Sequence, residues 1–111
     1  MTKLAERDGI RVLNDNFRTT FLGGRVVLTS GVSELPIDTK AKLLLMVKTF
    51  DAFTNNNDPY REHDFGHVEL DGETFYWKID YYDPDCRYGS EDPSDPEKTT
   101  RVLTIMFAGE Y

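Results

Sequence analysis

The chain has 111 residues and carries 20 Asp and Glu against 13 Lys and Arg, a net charge of −7, which bounds it to one domain with a single modest core. The charge is lopsided: residues 1–53 hold eight basic and six acidic side chains, residues 54–111 five and fourteen, a field that repels nucleic acid and attracts basic partners. Cys86 is the only cysteine, so an internal disulfide and a cysteine-cluster zinc site are excluded, and no apolar run approaches the roughly 18 residues of a membrane span.

In chain order, residues 3–20 are expected to form a first helix, with Ile10, Leu13 and Phe17 on one apolar stripe. Gly9 weakens its middle, so the reliable part starts there. Gly23-Gly24 breaks the chain, and the β-branched run 25–29 is expected to be a short strand. Asp38 or Thr39 is a suitable N-cap for a second helix. Its apolar positions Leu43, Met46, Val47, Phe50 and Phe53 follow a helical period, and Leu44 and Leu45 widen the stripe toward burial on more than one side. The segment 54–59 stops it.

The second half is β. Asp71-Gly72 between two alternating runs is a strong hairpin signal. A two-residue turn pairs Leu70 with Glu73, Val68 with Phe75 and Gly66 with Trp77, and puts Phe75, Trp77, Ile79 and Tyr81 on the core face. A polar loop, 83–99, leads to the run 101–107, apolar on both faces and therefore a central strand. The expected fold is α+β, in the order α-β-α-β-β-β, with two helices packed on one face of a mostly antiparallel four-stranded sheet.

Two constellations carry chemistry. Continuing the hairpin register sets His63 opposite Asp80, close enough for the carboxylate to orient the imidazole, with Lys78 as an electrostatic stabiliser. A metal there would need His63, Asp64 and Asp80, because His63 and His67 on one strand stand roughly 13 Å apart. The second constellation is the loop. Over its stretch 83–97, Asp83, Asp85, Glu91, Asp92, Asp95 and Glu97 face one basic residue, Arg87, and Tyr82 and Tyr88 stand beside them. Exposed aromatics among acids suit docking on a basic protein surface. Cys86, set among acids, is in poor surroundings for a thiolate nucleophile, and no phosphate-cradling glycine loop is present.

Leu13-Asn-Asp-Asn-Phe-Arg18, Gly24-Arg-Val-Val27, Phe50-Asp-Ala-Phe53, Asn57-Asp-Pro59, Glu62-His-Asp-Phe-Gly66, Trp77-Lys-Ile-Asp-Tyr-Tyr-Asp83, Gly89-Ser-Glu-Asp-Pro93 and Arg101-Val-Leu-Thr-Ile-Met106 together resemble a bacterial family of unknown function, domain family 3768. The resemblance brings no activity, cofactor or fold. It implies a small cytosolic protein of plasmids or phage-like elements, often encoded near anti-restriction functions. The resulting expectation is a non-enzymatic acidic inhibitor, of anti-restriction or anti-CRISPR type, that blocks a basic nucleic-acid-binding surface without touching nucleic acid or membrane. It would be a monomer or homodimer and need no cofactor. The alternative is a small His/Asp-based or metal-dependent hydrolase at His63, Asp64 and Asp80.

Overall fold

The computed structural model describes residues 3–111, with side chains from residue 8 onward. Helix α1 (Lys3–Thr20) is followed by strand β1 (Arg25–Leu28), a one-turn helix α2 (Ser30–Ser33) and helix α3 (Ile37–Lys48). Strands β2 (Phe65–Leu70), β3 (Glu73–Tyr82) and β4 (Thr100–Phe107) complete the sheet. Gly9 does not interrupt α1.

The hairpin forms in the register that the Asp71-Gly72 turn dictates: Leu70 opposes Glu73, Val68 opposes Phe75 and Gly66 opposes Trp77. Both turn residues have positive φ, 54° and 79°, as a type I′ turn requires. Gly66 is needed for a different reason. A Cβ there would lie 2.5 Å from the Trp77 indole nitrogen, so the glycine lets the fully buried Trp77 lie flat across β2.

The strand order is β1-β4-β3-β2. β2 with β3 and β3 with β4 are antiparallel, but β1 runs parallel to β4. The sheet is therefore mostly antiparallel, as expected, and the parallel pairing of β1 makes it mixed. A four-residue β-branched run encodes a strand but neither its neighbour nor its direction, and β1 joins the last strand of the chain rather than the next.

All three helices bury residues on one sheet face. Phe17, Val32, Leu43 and Val47 meet Val68, Phe75, Trp77, Ile79, Leu103 and Ile105 in a single core. The helix expected over 38–53 is shorter and starts earlier. Pro36 is its N-cap, with no side-chain cap bond, and it ends at Lys48. Phe50 and Phe53 still pack on the core from the irregular segment beyond, so the apolar period outlasts the helix. Nor is α3 buried on two sides: Ile37 and Leu45 are 81% and 61% exposed. β4 is central as expected: Arg101, Leu103 and Ile105 are buried on the core face, and on the other face Met106 is buried while Val102 and Thr104 are half-buried.

Candidate functional site

The polar chemistry of the molecule gathers where α1 crosses the sheet. Asn14 and Arg18 lie one turn apart, on the same side as the core residue Phe17, and both are buried. The Asn14 side chain is fully used. Its amide donates to the Glu62 carbonyl at 2.9 Å and to the Tyr81 hydroxyl at 2.7 Å, and its Oδ1 accepts from Arg101 Nε at 2.7 Å. Arg101 also donates to the Pro93 carbonyl and stacks over the Tyr81 ring. The Tyr81 hydroxyl donates to Glu62 Oε2 at 3.1 Å. Burial, reinforced by the Glu62 and Asp64 charges, pushes the Tyr81 phenol well above its ordinary range.

Arg18 donates from Nη1 to the carbonyls of Val47 and Lys48 at the end of α3, and from Nη2 to Asp15 at 3.3 Å. Its guanidinium lies 5.1 Å over Trp77 and 5.4 Å over Phe53. Burial lowers its pKa and that of Arg101, although guanidinium groups remain charged at any physiological pH. Among the described residues, Arg18 Nε and the Trp77 indole N–H are the buried side-chain donors without a partner, and both belong to this stack.

His63 closes the cluster at the surface. Nδ1 is 2.9 Å from Asp15 Oδ1, Nε2 is 3.4 Å from Asp58 Oδ2, and the ring stacks on Phe53 at 3.7 Å with planes 1° apart. Its backbone N–H donates to Asp58 Oδ1 at 3.1 Å. Asp58 itself is 5% exposed. The imidazole is thus held on three sides, with a carboxylate at each nitrogen.

The expected His63–Asp80 pairing is corrected by this arrangement. The β2–β3 ladder persists only to Asp64, whose carbonyl accepts from Ile79 N at 2.8 Å. At His63 the backbone turns to φ 55°, which carries the side chain out of the sheet and toward α1. Asp80 instead pairs with Lys78 at 2.9 Å on the face away from the helices, and this hydrogen bond raises the Lys78 pKa. Among the described residues no three His, Cys, Asp or Glu side chains come together as a metal donor set, so His63, Asp64 and Asp80 are not assembled as one. Asp64 is partly buried. That burial, and then the charges of Glu62, Asp58 and Asp80, raise its carboxyl pKa.

The loop 83–99 is folded upon itself. Tyr82 bridges to Gly89, Asp83 N donates to the Tyr88 carbonyl, and residues 96–98 form a 3-10 turn. Three of its acids are internal supports. Asp83 accepts from Arg87 N at 3.0 Å, Asp95 from Glu97 N at 2.9 Å, and Asp92 from both Ser94 N and Ser94 Oγ, at 3.1 and 2.5 Å. Those Ser94 bonds hold the Asp92 carboxyl below its ordinary pKa. The outward set is different: Asp85, Glu91 and Glu97 are exposed, and Tyr88 is 75% exposed, whereas Tyr82 is half-buried. An open depression of about 360 Å³ lies among Asp83, Glu91, Glu97 and Lys98.

Sequence reasoning found His63 and the loop but missed Asn14, Asp15, Arg18, Asp58 and Arg101. A signal was present: Asn14 and Arg18 flank Phe17 on the apolar side of α1, and Arg101 alternates with Leu103 and Ile105 on the core face of β4. The segments 13–18, 50–53, 57–59, 62–66 and 77–83, separated in sequence, meet in this one cluster. Among the described residues no helix is long and apolar enough to cross a membrane. No curated protein and no solved structure matches the chain. Residues 28–110 match the model of a family described as a protein of unknown function, DUF3768, and because that match covers well over half of the sequence, the chain belongs to this family.

Proposed function

We propose that the protein is a small cytoplasmic, non-enzymatic interaction module that docks its acidic loop on a basic protein surface, such as the nucleic-acid-binding face of an enzyme it inhibits. The observation that carries this reading is the division of labour among the loop acids. Asp83, Asp92 and Asp95 stabilise the loop through hydrogen bonds, while Asp85, Glu97 and Tyr88 stand exposed and free of that task, and Glu91, equally exposed, makes only a 3.8 Å ion pair with Lys98. A preorganised loop costs less to order on binding than a floppy one. Its charge speeds encounter with Lys- and Arg-rich surfaces, and Tyr88 supplies an aromatic anchor. An inhibitor encoded on a mobile element, of anti-restriction or anti-CRISPR type, has this character. His63 borders two open depressions, of about 250 and 460 Å³, but each of its ring nitrogens already faces a carboxylate, Asp15 or Asp58, which favours binding over hydrolysis.

The test is capture by the tagged protein from host lysate at low and moderate salt, beside the triple variant Asp85→Lys, Glu91→Lys and Glu97→Lys. Reversing these three leaves the loop's hydrogen-bonded supports in place and removes only the exposed Glu91–Lys98 ion pair, a contact of little weight in water, so the variant should fold as the wild type does. A basic nucleic-acid-binding protein retained only by the wild type, released by salt and displaced by duplex DNA, is the expected result. Equal capture by the variant would end the proposal.

A further inference from the structure

The sheet face opposite the helices offers a second surface, independent of the loop. Strand registers lay it out in rows. Val27, Thr104, Lys78 and Phe65 form one row, Arg25, Val102 and Asp80 a second, and Met106, Tyr76 and His67 a third. Their sequence neighbours point into the core, so these side chains point away from it. The face is half-apolar, with Val27 44% exposed and Val102, Thr104, Tyr76 and Phe65 partly so, while Met106 is buried, so the accessible part is mainly the Val27–Phe65 and Arg25–Asp80 rows. Tyr111 packs edge-on against Phe65 and Tyr76 at its β2 end, and is itself 76% exposed.

Charge selects the occupant. In a chain of net −7, this face is balanced: Arg25 and Lys78 against Asp80 and Glu69. Two copies that repel one another elsewhere can approach here. At its middle sits the Lys78–Asp80 pair, whose side chains are 38% and 37% exposed. A two-fold axis close to this pair places the Lys78 of each copy beside the other's Asp80, so the interface is self-complementary. Four strands about 4.8 Å apart, each presenting side chains over roughly 20 Å, offer on the order of 400 Å² of projected surface. That is below the ~800 Å² per partner of a standard stable interface.

We propose that this open sheet face pairs with the same face of a second copy, giving a weak isologous homodimer that forms in the micromolar range or above.

Sedimentation velocity over a concentration series from low micromolar to near millimolar tests it. The wild type should pass from monomer to dimer and stop there. Val102→Glu, which puts an added charge between Arg25 and Asp80 and upsets the charge balance of the face, should weaken dimerisation at least tenfold while circular dichroism and thermal unfolding stay near those of the wild type. Lys78→Glu alone should weaken it as well, and Lys78→Glu combined with Asp80→Lys, which restores complementarity, should recover it. The loop variant carrying Asp85→Lys, Glu91→Lys and Glu97→Lys should dimerise like the wild type, which keeps this test separate from that of the loop. A wild type monomeric throughout, a dimer indifferent to Val102→Glu, or a dimer lost in the loop variant would each overturn the proposal.

Discussion

Two polar regions of this molecule use the same residue types to opposite ends. Under α1, Asn14, Arg18, Tyr81, Glu62 and Arg101 are buried or half-buried and bonded to one another and to backbone carbonyls from α3, the 62–63 turn and the loop. In the loop 83–99, the hydrogen bonds are short in sequence: Asp92 to Ser94, Asp95 to Glu97, Asp83 to Arg87. The first region joins distant parts of the chain, the second only itself. Long-range buried bonds contribute to global stability, because breaking one leaves its partners unpaired in low dielectric. Local, exposed bonds set the shape of a surface and contribute little to the whole. Tyr81 has a role in both, its hydroxyl in the cluster and its carbonyl accepting from Ser90 N at 3.0 Å, and so has Arg101, bonded to Asn14 on one side and to the Pro93 carbonyl on the other. Together they fasten the acidic loop to the core.

The most direct way to break the comparison is Asn14→Ala. It leaves Arg101 Nε without its acceptor, and the Tyr81 hydroxyl and the Glu62 carbonyl without their donor. We expect a loss of about 2–4 kcal/mol, the range for orphaned buried polar groups in one network. Urea unfolding would register this as a lower midpoint at unchanged slope. A loss below about 0.5 kcal/mol, the scale of an ordinary surface substitution, would mean that the network is solvated and that the two regions do not differ.

The complementary change, Asp92→Ala, removes the acceptor of both Ser94 bonds. By the same comparison it should cost the whole molecule much less than Asn14→Ala does. It should nevertheless speed hydrogen exchange at Ser94, while the amides of β3 and β4 keep their protection. If β4 loses protection as well, the loop and the core are one cooperative unit and Arg101 couples them more tightly than the local bonding indicates.

The comparison also explains what could be read from the sequence. Periodicity located α1, β1, α3 and the three later strands, and the hairpin register was legible to the residue because a two-residue turn leaves no freedom. What was not legible depended on contacts between remote segments. The parallel pairing of β1 with β4 follows from where the helices carry the chain, not from the sequence 25–28. His63 illustrates the same limit. Extending the ladder by two residues set it against Asp80, but a positive φ at 63 ends the strand geometry, and Asp15 and Asp58, distant from Asp80 in sequence, receive the ring instead. The loop's acidity was plain, whereas the split between supporting and outward acids required the hydrogen bonds. A charge-reversal variant chosen from sequence alone, at Glu91, Asp92 and Asp95, would have removed two supports along with one outward charge.

Asp64 sharpens the boundary between the regions, and has the smallest expected effect of the three substitutions. It sits at the end of the β2–β3 ladder, and its carboxyl is raised by burial and then by Glu62, Asp58 and Asp80. A carboxyl whose folded pKa exceeds its unfolded value, about 3.9 for Asp, contributes stability in full below the unfolded value and loses it as pH rises through the folded one. At neutral pH the ionised Asp64 is therefore a modest liability. Asp64→Asn keeps the shape and removes the charge, so it should be more stable than the wild type at pH 7. The advantage should disappear as the pH is lowered below the unfolded value, where Asp64 is protonated in both states. Urea titrations of both proteins at pH 7 and pH 3 would show it, the pH 3 arm lying below that value. A difference that does not change with pH would place Asp64 with the loop acids, in water, instead of with the buried cluster.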